Sequence, residues 1–374
     1  MVPYRFIPLF DAADGAICSR ESRMTRKRHQ SVEQRDPAMH EVTLAEKVAF
    51  LSLPATYPDA TTRVEVVETH MSWVFLTELF AHKLKKPVCY EFLDFRSLEA
   101  RRWNCEEEVR LNRRLAPRVY IGAVPLVVDA GKELQLDGKG EVVDWLVRMR
   151  RLPSERMLDR AILQGTVRDG ELRVVGRLLA EFYKNAVRAT ILPQEYRRRL
   201  SDAVAENGRA LSAPEFGLPA DAVTGVCQKL SETVADNSSL FNSRVQHRHV
   251  VEGHGDLRPE HVYLGPDPVV IDCLEFNRDF RILDWADELA FLAMECERLG
   301  SPESGEAIIE TCCDVLDHRP PAALIHFYKA HRALMRAKLT ILHLLDEDVR
   351  DPEKWRLRAV EYIGLAKAHA GRPG

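Results

Sequence analysis

The sequence predicts an α+β fold in two unequal parts, a small β-rich part followed by a larger, mostly helical one. Two patterns predict it. Apolar residues alternate with a period of two in short runs between residues 64 and 149, whereas from Leu152-Pro153 onward they recur at three and four residues. A single β-rich island, His249 to Phe276, interrupts the helices and holds the densest set of chemically active side chains. The length of 374 residues agrees, because at roughly 150 residues per domain it allows two or three compact units with ample core.

Residues 1–42 are rich in charge and poor in periodic apolar positions, with the basic cluster Met24-Thr-Arg-Lys-Arg-His, and read as a disordered extension. A docking or targeting arm is the alternative reading. From Leu44 the spacing of Leu44, Val48 and Leu51 is helical until Pro54 and Pro58 stop it. Val64 to Glu68, Ser72 to Leu76 and Ala81 to Lys85 then alternate as three strands, the last ended by Pro87. Glu99 to Leu115 returns to helical spacing, with Glu108, Leu111 and Leu115 on one face, and Ala116-Pro117 closes it. Val119 to Asp129 and Val142 to Met149 complete five strands around that helix. Residues 43–152 therefore form an expected N-terminal lobe and 153–370 a helical C-terminal lobe. In the latter, helices are expected at Arg156 to Leu163, Leu172 to Arg188, Pro193 to Leu211, Ala220 to Asn237, Leu283 to Leu299, Glu303 to Leu316, Ala322 to Leu345 and Pro352 to Ala370.

Composition narrows the function classes. Hydrophobic residues at 45% and charged residues at 29% are the balance of a folded protein and exclude collagen-like, coiled-coil and wholly disordered chains. A formal charge of -4 gives no bulk reason to bind nucleic acid or an anionic membrane, and the five Trp and nine Tyr do not interleave with basic residues as a stacking surface would. The apolar runs Val269 to Ile271 and Leu289 to Met294 fall far short of the roughly 18 residues of a bilayer span. Phe6 to Phe10, broken by Pro8 and followed by Asp11 and Asp14, is a poor secretory signal, so a cytoplasmic protein is expected. The eight cysteines contain no C-x-x-C pair, and most are expected to be reduced and buried.

Within the island, Val262-Tyr-Leu and Val269-Val-Ile flank Gly265-Pro-Asp-Pro, a hairpin that sets Asp256 before its first strand and Asp272 after its second, at the same end. Two carboxylates so placed suit phosphoryl transfer, one steering or deprotonating a hydroxyl and the other holding a divalent cation.

At these residues the sequence resembles the aminoglycoside phosphotransferase-like branch of the protein-kinase-like fold, and within it a bacterial group of predicted phosphotransferases of unnamed acceptor. The resemblance covers about residues 43–368 and implies a bilobal fold that uses ATP and Mg²⁺ on a small-molecule acceptor. His254-Gly255-Asp256 matches the catalytic-loop motif, with His254 as support and Asp256 as the residue that takes the acceptor proton. Asp272 stands where the metal-binding aspartate is expected. Asp284 and Asp287 resemble structural aspartates, Asp287 as a brace of the catalytic loop. Five residues after Asp256 the family has a metal-binding asparagine and this chain has His261. An imidazole binds Mg²⁺ less well than oxygen does but accepts Mn²⁺, so His261 stands either as a metal residue or as a hydrogen-bonding cap of the loop.

A kinase also needs a cation for the α- and β-phosphates and a helix carboxylate to orient it. Lys83 on the third strand and Glu108 on the following helix fit, with Lys85, Lys86, Glu106 and Glu107 as rivals. The turn between the first two strands lacks glycine but carries Thr69 and Ser72, whose hydroxyls and neighbouring amides suit phosphate oxygens, or simply form a hairpin turn. The resemblance puts the adenine-binding hinge at Val147-Arg-Met-Arg, before Leu152-Pro153, with Met149 and Leu152 read either as a sandwich for the base or as ordinary core. Tyr328, Arg332 and Arg336 recur every four residues as a basic stripe, read either as an acceptor site for an anion or as an exposed face paired to neighbouring acids; Glu295 and Glu297 point instead to a cationic acceptor. Three function classes stay open: a small-molecule kinase; a pseudokinase that binds nucleotide without turnover; and a metal hydrolase with His254, His261 and Asp272 as ligands. The acceptor and the oligomeric state stay open as well.

Overall fold

The computed structural model of the chain describes residues 42–90, 93–345, 349 and 351–372. The expected N-terminal extension lies, except for its last residue, outside the described residues. The chain divides into two compact units, one comprising the described residues up to Val109 together with Tyr120–Arg151, the other comprising Arg110–Val119 and the residues from Leu152 onward.

The first unit opens with helix α1 (Leu44–Leu51), started by a capping box in which Thr43 and Glu46 satisfy each other's backbone N–H groups. Strands β1 (Glu65–Glu68), β2 (Ser72–Leu76) and β3 (Phe80–Lys85) follow. Two short strands, β4 (Cys89–Tyr90) and β5 (Leu93–Asp94), pair with each other before helix α2 (Leu98–Asn112). Then come β6 (Tyr120–Val128), β7 (Leu134–Leu136) and β8 (Glu141–Arg150). Six of these strands form one antiparallel sheet in the order β1-β2-β3-β8-β6-β7. β7 was not foreseen, because three residues are too few to display alternation. It forms because Asp129 accepts from the N–H groups of Gly131 and Glu133 and folds the chain back onto β6.

Both faces of β3 are covered. His82 and Leu84 face a core of Leu51, Tyr57, Phe75, Leu126 and Leu146, with the His82 and Tyr57 rings 5.0 Å apart. The alternate residues Lys83 and Lys85 face the other way.

The second unit carries α3 (Leu158–Leu163), α4 (Asp169–Asn185), α5 (Pro193–Leu211), α6 (Ala220–Asp236) and α7 (Ser238–Gln246). α6 matches the expected helix Ala220 to Asn237, and α7 beyond it was not foreseen, with Asn237 sitting between the two in a non-helical conformation. Next are β9 (Val250–Glu252), the hairpin β10 (Val262–Tyr263) with β11 (Val269–Val270), and β12 (Ile282–Asp284), which pairs antiparallel with β9. Four helices close the chain: α8 (Trp285–Arg298), α9 (Pro302–Leu316), α10 (Ala322–Leu342) and α11 (Pro352–Ala370). α8 starts where the Asp284 carboxylate accepts the Ala286 N–H, and Trp285 through Cys296 are all buried, so α8 runs through the core of this unit. No helix among the described residues is long and apolar enough to cross a membrane.

Candidate functional site

In the first unit, pleating places Lys83 in a row with Val74 of β2 and Val147 of β8. Its Nζ donates to Glu108 Oε1 at 3.0 Å, and Lys85 Nζ donates to Glu108 Oε2 at 2.7 Å. Glu108 is buried, as a carboxylate in such a place requires when it has cationic partners. Of the rival residues, Lys86 lies over the Trp73 ring and pairs with Glu68, and Glu106 pairs with Arg102 toward solvent. Lys85 proves a companion of Lys83 rather than a substitute: it is fully buried over the Phe95 ring, whereas Lys83 keeps 16% of its side chain exposed.

Thr69 and Ser72 close the turn between β1 and β2. The Thr69 hydroxyl donates to the Ser72 carbonyl at 3.0 Å and accepts the Ser72 N–H at 2.9 Å, so that hydroxyl is committed to the turn itself. Met149 is buried in β8 opposite Ala81 and Tyr120.

In the second unit, the chain leaves β9 through Gly253-His254-Gly255-Asp256. Gly255 has φ +90, and a Cβ there would lie 3.1 Å from Leu274 Cβ, so only glycine fits. A Cβ on Gly253 would lie 2.8 Å from the carboxylate of Glu288. That carboxylate accepts the N–H groups of His254 (2.8 Å) and Gly255 (2.6 Å) and the hydroxyl of Tyr183 (2.9 Å). Burial pushes the Glu288 carboxyl up, and these donors pull it back.

The brace of the loop is therefore Glu288 and not Asp287, which corrects the sequence-based expectation. Successive helical residues point about 100° apart. Asp287 consequently faces α10, where Arg332 donates to both its oxygens at 2.8 and 2.6 Å. Asp284 caps α8 and takes Arg244 and the Tyr328 hydroxyl. Arg336 is paired with Glu295 at 3.1 Å. The arginine stripe thus has the acidic partners of the second reading, but Arg332 and Arg336 are buried and not on an exposed face.

His254 links the loop to the hairpin. Its Nδ1 accepts the Asp256 N–H at 3.2 Å and its Nε2 donates to the Ile271 carbonyl at 2.9 Å. Burial, helped by nearby His261, holds its pKa down to about 3, so it is a neutral imidazole. Both ring nitrogens are spent, which removes His254 from the ligand set of the metal-hydrolase reading.

Asp256 is buried against Arg258, whose Nη2 donates to Oδ2 at 3.0 Å while Nε lies 2.7 Å from Oδ1. Burial raises the Asp256 carboxyl, opposed first by the charge of Arg258. Glu260 is only partly buried, and the charge of Arg258 outweighs what burial it has and brings its pKa to about 2. His261 is fully buried, and its Nδ1 donates to the Asp256 carbonyl at 2.7 Å. That bond fixes the tautomer, and leaves Nε2 beside two groups, Arg258 Nη2 at 3.4 Å, a long contact, and Asp272 Oδ2 at 3.7 Å. Asp272 has φ +62 and a side chain 19% exposed.

Among the described residues no group of three or more His, Cys, Asp and Glu side chains is arranged to hold a metal ion by itself. Asp272 with His261 Nε2 is instead an incomplete donor pair, the kind that suits a cation drawing its remaining ligands from phosphates and water. Arg258 and Glu288 escaped the sequence reading. Each is one charged residue among several neighbours, and only the fold distinguishes them.

No known family profile matches the chain. An uncharacterized protein of Mycobacterium tuberculosis (strain ATCC 25618 / H37Rv) is 33% identical over 282 residues, covering 74% of this chain and 54% of its own length, and an uncharacterized protein of Mycobacterium bovis (strain ATCC BAA-935 / AF2122/97) matches equally. The chain spans about half the length of the curated relatives it matches. Among solved structures, a choline/ethanolamine kinase family protein from Mesorhizobium loti aligns with a TM-score of 0.53 at 15% identity, over 87% of this chain and 95% of its own. An aminoglycoside phosphotransferase from Streptomyces rimosus ATCC10970, in complex with ADP and streptomycin, aligns more distantly, at a TM-score of 0.43 and 15% identity over 77% of this chain and 97% of its own. The chain shares the fold of that choline/ethanolamine kinase family protein, in keeping with the kinase-like fold that the resemblance around His254-Gly255-Asp256 implied.

Proposed function

We propose that this protein is an ATP-dependent phosphotransferase that moves the γ-phosphate to a hydroxyl of a small-molecule acceptor. One observation carries the reading: Asp256 and Asp272 meet at a single imidazole, His261, which bonds the carbonyl of the first and faces the carboxylate of the second. Asp256 is the base that takes the acceptor proton. Its burial favours proton uptake, and Arg258 keeps it ionised until the proton arrives. Lys83, oriented by Glu108, attracts the α- and β-phosphates, and the turn held by Thr69 and Ser72 offers backbone amides to the phosphate chain. Met149 contributes an apolar contact for the adenine base. Asp272 and His261 would hold a divalent cation, Mg²⁺ or Mn²⁺, which supplies charge neutralisation of the phosphates when bound.

A screen of hydroxyl-bearing acceptors with labelled ATP tests the activity. In Asp256→Ala turnover should fall by a factor on the order of 10² to 10⁴ with nucleotide affinity nearly kept, because the base does not hold ATP. Unchanged turnover would remove Asp256 from the mechanism. In Asp272→Ala the metal requirement for nucleotide binding should rise, and an unaltered Mg²⁺ dependence would remove it as a ligand. A second reading, nucleotide binding without turnover, draws on the Asp256–Arg258 pair that occupies the base. A thermal upshift with MgATP, no labelled product across the panel and no effect of Asp256→Ala would select it.

A further inference from the structure

We propose that Asn112, the last residue of α2, is a positioning residue for Asp272 and sets the affinity of the site for its divalent cation. The inference rests on the role given to Asp272 above. With φ +62, Asp272 occupies the left-handed region, which residues other than glycine rarely adopt although aspartate tolerates it better than most. Such a conformation persists only where the surroundings over-determine it.

Here the peptide groups on both sides of Asp272 are pinned. Ahead of it, the Ile271 N–H donates to the His261 carbonyl at 2.9 Å, and the Ile271 carbonyl accepts from His254 Nε2 at 2.9 Å. Behind it, the Cys273 N–H donates to Asn112 Oδ1 at 2.8 Å, and the Leu274 N–H donates to the His254 carbonyl at 3.0 Å. Three of these four bonds come from the loop of His254 to His261, which carries the other acid. The remaining one comes from a residue 161 positions away in sequence.

Asn112 is placed for this task by its helix end. Its backbone carbonyl accepts the N–H groups of Leu115 and Ala116, which tightens the chain after α2. Arg114, two residues on, donates to the carbonyls of Glu252 (3.0 Å) and Gly253 (2.8 Å) and to Cys273 Sγ (3.1 Å), while lying over the Phe182 ring. Asn112 is itself buried, so its amide oxygen is held where the Cys273 N–H must come to find an acceptor. Without that acceptor the peptide after Asp272 loses its anchor and relaxes toward ordinary extended backbone, which turns the carboxylate away from His261. Asn112 touches neither cation nor substrate and acts only through this peptide.

The test uses the full chain, Mn²⁺ as the probe read by its electron paramagnetic resonance in the presence of ADP, and hydrogen exchange of the peptide containing Cys273. Asn112→Leu keeps the volume and removes the acceptor. It should weaken Mn²⁺ binding about 10-fold or more and speed Cys273 amide exchange by a similar factor, while metal-free ADP affinity stays within about twofold. Asn112→Asp keeps an acceptor oxygen and should restore both. If Asn112→Leu does not fold, Asn112→Ser, whose hydroxyl is too short to reach, takes its place with the same expectation. Unchanged Mn²⁺ affinity in the variant, or unchanged Cys273 exchange, would overturn the inference and leave the phosphotransferase reading standing. Wild-type protein that takes up no Mn²⁺ with ADP would overturn that reading itself.

Discussion

On β3 of the first unit two lysines share the carboxylate of Glu108, whereas along α8 of the second unit each buried acid has partners of its own. Asp287 has Arg332, Glu288 has the loop amides and Tyr183, and Glu295 has Arg336, Arg298 and the Tyr362 hydroxyl. Sharing concentrates the dependence on one residue, so a lysine is expendable for folding and its carboxylate is not. Dedication spreads it, so each loss is felt at one named place. Since Glu288 is dedicated to the His254-Gly255-Asp256 loop, the second unit ties a core helix directly to the candidate base.

The largest expected effect follows from that tie. Glu288→Ala would leave two buried N–H groups and a buried hydroxyl without their acceptor, at about 1–3 kcal/mol each, so urea unfolding should show a loss of at least about 3 kcal/mol. Tyr183→Phe removes one donor and leaves the carboxylate its amides, and should cost only about 1 kcal/mol. Near-equal losses in the two variants would mean that the loop does not lean on Glu288.

The shared cluster is broken by Glu108→Ala. Lys85 is fully buried, and removal of the carboxylate that it and Lys83 share should cost about 3 kcal/mol by the same measurement. A loss below about 1 kcal/mol would show that the ammonium groups reach water or other acceptors, and the contrast between the units would fall.

The two clusters also differ in how far the sequence displayed them. Lys83, Lys85 and Glu108 were legible because strand and helix periodicity say which residues share a face, and a charge on an inward face calls for a partner. The positions of Asp256 and Asp272 were legible from a motif and a hairpin. Glu288 and Asn112 were not: their partners are backbone N–H groups of a loop, and nothing in a sequence marks which acid or amide a distant peptide will meet. The helical phase that separates Glu288 from Asp287 depends on where α8 begins, and sequence fixes a boundary less sharply than the one residue on which that choice turns. β7 was missed for want of length, since three residues give too few repeats to fix a period.

Acid should press on both units, though not equally. Burial lowers the pKa of His82 in the first unit to about 4, with the charge of Arg148 adding to it; in the second unit burial brings His254 to about 3 and His331 to about 4. Unfolded, each takes a proton below about 6.5. Between that value and about 4 the unfolded chain therefore binds more protons than the folded one, so stability is fully present above about 6.5 and declines as the pH falls toward 4. The loss should be about 3 kcal/mol per histidine, with the second unit bearing the greater share. Urea midpoints taken from pH 7 to pH 4 should drop, and His331→Gln should reduce the slope; a flat profile would contradict the neutral burial of these rings.

The smallest effect separates the two lysines. Lys85 is enclosed beside Phe95 and Lys83 is partly open, so Lys85→Met should cost about 1 kcal/mol or less, an apolar chain of similar length filling the same space while Glu108 keeps Lys83. Lys83→Met should move stability no more than that, yet weaken MgATP binding severalfold, because the partly open ammonium is the one given the phosphates. Isothermal titration of the two variants decides the assignment. If Lys85→Met loses nucleotide and Lys83→Met does not, the roles within the shared cluster are reversed: the buried lysine serves the ligand, and the open one merely balances Glu108.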